Sequence, residues 1–344
     1  MKRARRERSK RCSIYDVARH AGVSVATVSR FTVGFPGISR PTRAKIKASI
    51  EELGFRPNPL ARSLASRYKK SIGLIVSAGT RAYSDLFLAE ILQGVAAGAA
   101  HLGWTVHLTM LNGAIEPRFI LERHADLVDG SLILDVALEL PDVAALAASP
   151  HRCVLINHRH KSLPFVAIDN FLGGKIAARH LVSLGHTRIA CIGGNRESGS
   201  DRIAGYKEGL KSSGLRPVAV LDCEFDQKLA RRAAHKLLSS PHPPTALLVA
   251  SDWMACGVLA EASTMGLEVP RDVSVLSFDD AIIAETTWPP LSTIRQPLSE
   301  MGRIAFDMFH ESLDAESRKR APVRKLLQPE LVERKTTAPP TKDL

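Results

Sequence analysis

Aromatic side chains are scarce in this 344-residue chain, with Trp, Tyr and Phe together making up 5%. There are only five cysteines, and Cys12, Cys153, Cys191, Cys223 and Cys256 include no C-x-x-C pair. Such scatter supplies neither a zinc site nor a disulfide framework, and it fits a reducing cytosol. The chain also lacks a G-x-x-x-x-G-K-[ST] phosphate loop, a G-x-G-x-x-G after a strand and a G-x-S-x-G elbow. Those absences weigh against a kinase, a dehydrogenase or a hydrolase. The twelve histidines form no H-x-x-x-H spacing, so neither a metal nor a cofactor is expected. The basic N-terminus has no apolar core of a secretory signal, so a cytoplasmic protein is expected. The stretch 91–115 carries no Asp, Glu, Lys or Arg, but it includes Gln93, His101, His107, Asn112 and four glycines. It reads as a buried helix, a stop at Gly103 and a strand, not as a membrane span.

The composition is that of a globular chain, 45% hydrophobic and 24% charged. At about 150 residues per domain its length suggests two or three units. Charge is distributed unevenly. Residues 1–70 hold 18 Lys and Arg against 4 Asp and Glu, a net of +14, although the whole chain carries only +12. The remainder is therefore close to neutral. A cationic head on a near-neutral body is the signature of a polyanion binder. The basic run at 2–11 explains only part of the excess, and the other basic residues lie in a helically patterned segment.

In that segment Ser13 and Asp16 form a capping box ahead of Ile14, Val17, Ala18 and Ala21, which predicts a short helix. Gly22 suits its left-handed end, and Ser24 suits the N-cap of a second helix. That helix is expected to bury Val28 and to display Val25, Ala26, Ser29 and Arg30. Two short helices joined by A-G-V-S make a helix-turn-helix. A third helix, from about Pro41 to Leu53, starts after Ser39 and stops at Gly54.

The strings IYDVARHAGVSVATVSR and ISRPTRAKIKASIEELGFRPNPLARSL resemble the DNA-binding head of the LacI/GalR-type bacterial transcriptional regulators. The resemblance implies that Val25, Ala26 and Arg30 read bases, Arg30 through a bidentate contact to guanine. It implies that Tyr15, Ser24, Thr27 and Ser29 hold phosphates. It also assigns a hinge helix to residues 57–64, with Asn58, Ala61 and Arg62 as contacts and Leu64 as a minor-groove wedge. Eight residues are too few for a stable isolated helix, so the hinge is expected to form only on DNA, paired with its symmetry mate. The loop after the second helix departs from the family: where an Asn-Gly pair is usual, this chain has Val33-Gly34 followed by Phe35-Pro36-Gly37.

Beyond residue 70 short apolar runs alternate with helical patterns: SIGLIV, SLILDV, CVLINH, IACIGG, ALLVAS and VSVLSFDD. That alternation predicts parallel sheets covered on both faces, with ligands outside the carboxyl ends of the strands. Polar residues follow the strands where a small polyhydroxylated ligand would need them. The resemblance continues through VAIDN, HLVSLGHTRIACIGG, DRIAGYKEGL, GLEVPRDVSVLSFDD and PPLSTIRQP. It implies a periplasmic-binding-protein-like core of two doubly wound parallel-sheet subdomains. It makes Arg202 and Asp279 the foremost effector contacts, followed by Asp169, Asn157, Ser251, Asp252 and Arg196. Asp252 also reads as an N-cap of the helix WMACGVLAEA. With only Trp253 as a large aromatic nearby, a sugar, polyol or sugar acid fits better than a stacked purine.

The expected organisation is a basic tail (1–12), a helix-turn-helix domain (13–57), a hinge and linker (58–70), a core (71–334) and a tail (335–344). Within the core, one subdomain is assigned 71–168 and 297–324, the other 169–296 and 325–334. The expected function is that of a homodimeric repressor. It would bind a near-palindromic double-stranded operator under the control of a small molecule, with no enzymatic activity and no membrane. A solute-binding protein of the same core fold is the alternative, and the cationic head argues against it.

Overall fold

The computed structural model describes residues 12–32, 35–55, 69–77, 85–111, 120, 124–134, 140–194, 197–314 and 321–341. The chain divides into two units at Lys70 and Ser71. In the first, helices α1 (Ile14–Ala21), α2 (Val25–Thr32) and α3 (Arg40–Glu52) form as the sequence predicts. The Ser13 hydroxyl accepts the Asp16 N–H at 3.4 Å, and the Asp16 carboxylate accepts the Ser13 N–H at 3.0 Å. Gly22, at φ 65°, turns the chain out of α1. The Ser24 hydroxyl accepts the Thr27 N–H at 3.2 Å and so starts α2. Val17, Ala18, Ala21, Val28 and Ile46 meet in a small core.

The second unit runs β1 (Ser71–Ser77), α4 (Asp85–His101), β2 (Thr105–Leu111), β3 (Gly130–Leu134), α5 (Leu140–Ala148), β4 (Arg152–Ile156) and β5 (Phe165–Ile168). It continues through α6 (Asn170–Ser183), β6 (Ile189–Gly193), α7 (Glu197–Lys211), β7 (Ala219–Asp222), α8 (Gln227–Leu238), β8 (Ala246–Val249) and α9 (Asp252–Thr264). The last elements are β9 (Ser274–Asp279), α10 (Ile282–Thr286), β10 (Ser292–Arg295), α11 (Leu298–Glu311), β11 (Arg324–Leu327) and β12 (Glu330–Val332). The strands make two six-stranded sheets, ordered β2-β1-β3-β4-β5-β11 and β7-β6-β8-β9-β10-β12. Every pairing is parallel except β10 with β12. The strands β3, β6 and β8 are buried along their whole length, as a sheet covered on both faces requires.

Each sheet has the doubly wound 2-1-3-4-5 order, whose switch point lies between its first and third strands. In the second lobe that point is at the carboxyl ends of β6 and β8. Among the described residues no helix is long and apolar enough to cross a membrane.

Two boundaries differ from the sequence reading. Strand β11 lies wholly in the first sheet beside β5, so the last crossover falls between Leu327 and Glu330 and not at 324. Residues 335–341 of the expected tail are docked on the second lobe. Thr336 is buried, its carbonyl accepts the Val275 N–H at 2.7 Å, and its hydroxyl accepts the Ser292 N–H at 2.8 Å. Its polar T-T-A-P text reads as linker, yet those hydroxyls and carbonyls satisfy buried groups at the amino ends of β9 and β10. Of the expected tail over residues 1–12, residues 1–11 lie outside the described residues.

Candidate functional site

On the head, α2 turns Val28 inward and leaves Ala26 and Arg30 exposed. Val25, Thr27 and Ser29 are half-buried, and Ser24 and Tyr15 are exposed. The Ser24 and Thr27 hydroxyls lie 2.8 Å apart and hydrogen-bond to each other at the start of the helix. An exposed Arg on the outer face of the second helix of such a motif can reach base edges in a major groove. Asn58, Ala61, Arg62 and Leu64 lie outside the described residues, as does Arg196 of the core set.

In the second lobe the strands bring the predicted polar residues to the carboxyl edge of the sheet. Helices α6 and α7 pack backbone against backbone, because a Cβ on Gly205 would stand 1.8 Å from the Phe171 carbonyl oxygen. That close approach delivers Arg202 to the strand ends, where it is only 4% exposed. Its Nε donates to Asn170 Oδ1 at 2.8 Å, and its Nη1 donates to the Ala250 carbonyl and to Asp279 Oδ1, the latter at 3.3 Å. The guanidinium stacks over Phe278 with Cζ 3.7 Å from the ring centroid. Asp279 also accepts from Gln296 Nε2 at 2.6 Å. Its φ of 120° is a conformation that few non-glycine residues adopt. Burial outweighs the neighbouring guanidinium and raises the Asp279 pKa above the ordinary carboxyl range.

Asp252 behaves differently from the expectation. It is 1% exposed and turns both oxygens inward. They accept from the Ser277 hydroxyl, the Thr293 hydroxyl at 2.8 Å and the Ala281 N–H at 2.8 Å. It is a strut tying β9, β10 and the loop after β9. Nor is it the N-cap of α9, a role taken by Ser251, whose hydroxyl accepts the Met254 N–H at 3.3 Å. Burial, reinforced by the charge of Asp279, raises the Asp252 pKa. Asp169 caps α6 by accepting the Leu172 N–H at 2.9 Å.

From the first lobe, Asn157 ends β4 at φ 58°, and its buried Oδ1 has no hydrogen-bond partner among the described residues. The Gln296 Oε1 is in the same condition. Two such acceptors near the strand ends suit a ligand that brings hydroxyl donors.

Ion pairs link the lobes. His158 Nδ1 lies 2.7 Å from Glu197, Arg159 Nε lies 3.4 Å from Glu197, and Arg159 Nη2 also reaches Asp201. The His158 hydrogen bond lowers the Glu197 pKa below the usual carboxylate range, whereas burial raises that of Asp201. Burial together with the charge of Asp279 raises the pKa of Glu90 on α4. Partly exposed pairs of this kind contribute about 0–1 kcal/mol each, weak enough to break and re-form.

Sequence reasoning missed Gln296, Phe278, Glu90, Arg159, Glu197 and Asp201 as members of the site. Gln296 was accessible, since it follows the short strand STIR. The others are brought to the strand ends by packing between segments distant in the chain.

Comparison with known proteins adds two domain matches. The pattern described as bacterial regulatory proteins, lacI family, matches residues 13–58, and the periplasmic binding protein-like domain matches residues 178–337. The chain is 33% identical over 337 residues to the HTH-type transcriptional repressor PurR of Vibrio vulnificus, covering 94% of this chain and 98% of that one. With PurR of Escherichia coli O139:H28 the identity is 34%, covering 95% and 97%. Among solved structures, the lac repressor dimer bound to operator and the anti-inducer ONPF superposes with a TM-score of 0.85 at 29% identity, over 96% of this chain and all of that one. The transcriptional regulator CelR in complex with cellobiose gives a TM-score of 0.70 at 30% identity, over 95% of this chain and all of that one.

Proposed function

Because the chain belongs to the lacI family of bacterial regulatory proteins, we propose that it is a homodimeric cytoplasmic repressor that acts by binding, not by catalysis. Its target is a near-palindromic operator, and a small molecule in the core controls that binding. The observation that carries the reading is the two-sided α2, with Val28 packed into the head and Arg30 presented outward. Arg30 reads a guanine, Val25 and Ala26 make apolar base contacts, and Tyr15, Ser24, Thr27 and Ser29 position the head on phosphates. Asn58, Ala61 and Arg62 support the hinge, and Leu64 wedges the minor groove.

The effector is a sugar, polyol or sugar acid. The mixture of Arg202, Asp279, Asp169, Asn157 and Gln296 supports this reading, because each ligand hydroxyl both gives and takes a hydrogen bond. The cellobiose complex of the related CelR is consistent with that class. Ser251 serves the site by starting α9 beside it, and Arg196 adds a cation for an acidic ligand.

A thermal-shift screen of sugars, sugar acids and free nucleobases tests the effector class, since a bound ligand stabilises the fold it binds. Stabilisation by nucleobases alone would replace the carbohydrate reading. For DNA, Arg30→Ala is expected to cost about 1–3 kcal/mol and to relax one base position. An equal loss on every sequence would make Arg30 a phosphate contact instead.

A further inference from the structure

We infer that Phe35 is a positioning residue for Arg30: its ring orients the guanidinium for base reading, so it shapes sequence specificity without itself contacting a base. This rests on the DNA-reading role of α2 given above. The Arg30 Cζ lies 5.7 Å from the Phe35 ring centroid, within the range of a cation–π contact. The ring is 48% exposed and takes no part in the hydrophobic cluster that holds the three helices together. A large apolar ring at that exposure is not explained by packing of the head.

Its placement is nevertheless fixed from several sides. The Phe35 N–H donates to the Arg30 carbonyl at 2.9 Å. The Phe35 carbonyl accepts from Arg43 Nη2 at 3.2 Å, and the Arg43 guanidinium itself lies over Phe31 at 5.9 Å. Gly37 makes room for the ring, since a Cβ there would meet Phe35 Cε1 at 2.7 Å.

An exposed arginine samples many rotamers, and each must be given up when it docks on a base pair. A ring face that already holds the guanidinium reduces that loss, which is how preorganisation raises both affinity and selectivity. The loop after α2 in which this chain departs from its family therefore supplies an aromatic prop. Because Phe35 is uncharged, its removal leaves the number of neutralised phosphates unchanged.

The test uses the full chain and a randomised double-stranded DNA library. Wild type, Arg30→Ala, Phe35→Ala and Phe35→Trp are each selected against the library. They are then titrated by anisotropy on the most enriched duplex, on its single-base variants and on random duplex, at two salt concentrations. At the base pair whose preference disappears in Arg30→Ala, Phe35→Ala is expected to weaken binding of the preferred base about threefold to tenfold and to flatten discrimination. Phe35→Trp is expected to restore it, with salt slope and random-duplex affinity as in wild type. The inference is overturned if Phe35→Ala keeps the Arg30-dependent preference, or if it weakens all duplexes equally. A normal helical melt of Phe35→Ala, or the behaviour of Phe35→Trp where that melt is lost, separates positioning from folding. If wild type enriches no sequence, or if Arg30→Ala keeps every preference, the DNA-reading role of Arg30 fails first and this inference fails with it.

Discussion

The head and the second lobe of the core place their chemistry in opposite directions. On the head the reactive groups point outward from a core of five buried residues, so Arg30 can be removed without disturbing Val28 or Ile46. In the second lobe Arg202 and Asp252 are buried and Asp279 is largely so, and the hydrogen bonds these groups make also hold the strands. Reading DNA demands an accessible cationic face, whereas recognising a small polar ligand demands desolvated and prearranged groups. Function is therefore separable from stability in the head and entangled with it in the core.

That contrast can be broken by mutation. Removing the inward carboxylate, Asp252→Ala, strands two hydroxyls and one N–H, and it is expected to cost about 3 kcal/mol or more. Denaturant titration of the core transition measures it, and a cost below about 1 kcal/mol would contradict the strut role. Ile46→Ala is expected to cost the head about 2–4 kcal/mol. In so small a unit that abolishes DNA binding while the core's thermal transition stays in place. If operator affinity survives, the head does not depend on its five-residue core.

The smallest effect is a pH dependence. His186 is buried, with Nδ1 2.9 Å from the Thr245 hydroxyl and Nε2 2.9 Å from the Ala338 carbonyl. Burial lowers its pKa below the ordinary imidazole value. Its contribution to stability is thus complete above the unfolded value of about 6.5 and is lost as pH falls towards the folded value. The core melting temperature should fall between pH 7 and pH 5, and His186→Gln should make that fall shallower. An unchanged slope in the variant would assign the acid sensitivity to other groups.

The head was legible in the sequence because its signals are local. A capping box, a left-handed glycine and a second N-cap lie within a dozen residues, and each fixes its own turn. The alternation of strands and helices was likewise legible, since parallel strands buried on both faces are continuous apolar runs. The place of Asp279 at a strand end was legible in its own segment, and the structure sets it 3.3 Å from Arg202 of α7. The inward turn of Asp252 was not legible, because its partners Ser277 and Thr293 lie on two later strands and only the register of β9 with β10 brings them together. The docking of residues 335–338 was hidden for the same reason: its partners, Ser274, Val275 and Ser292, are distant in the chain.

The most direct measurement is the operator dissociation constant of the wild-type protein, on its selected duplex, with and without a sugar or sugar acid that stabilises the core. The account predicts a change of about 5- to 150-fold in either direction, matched by an equal change in sugar affinity when operator is present. Identical dissociation constants with the sugar site saturated would contradict it.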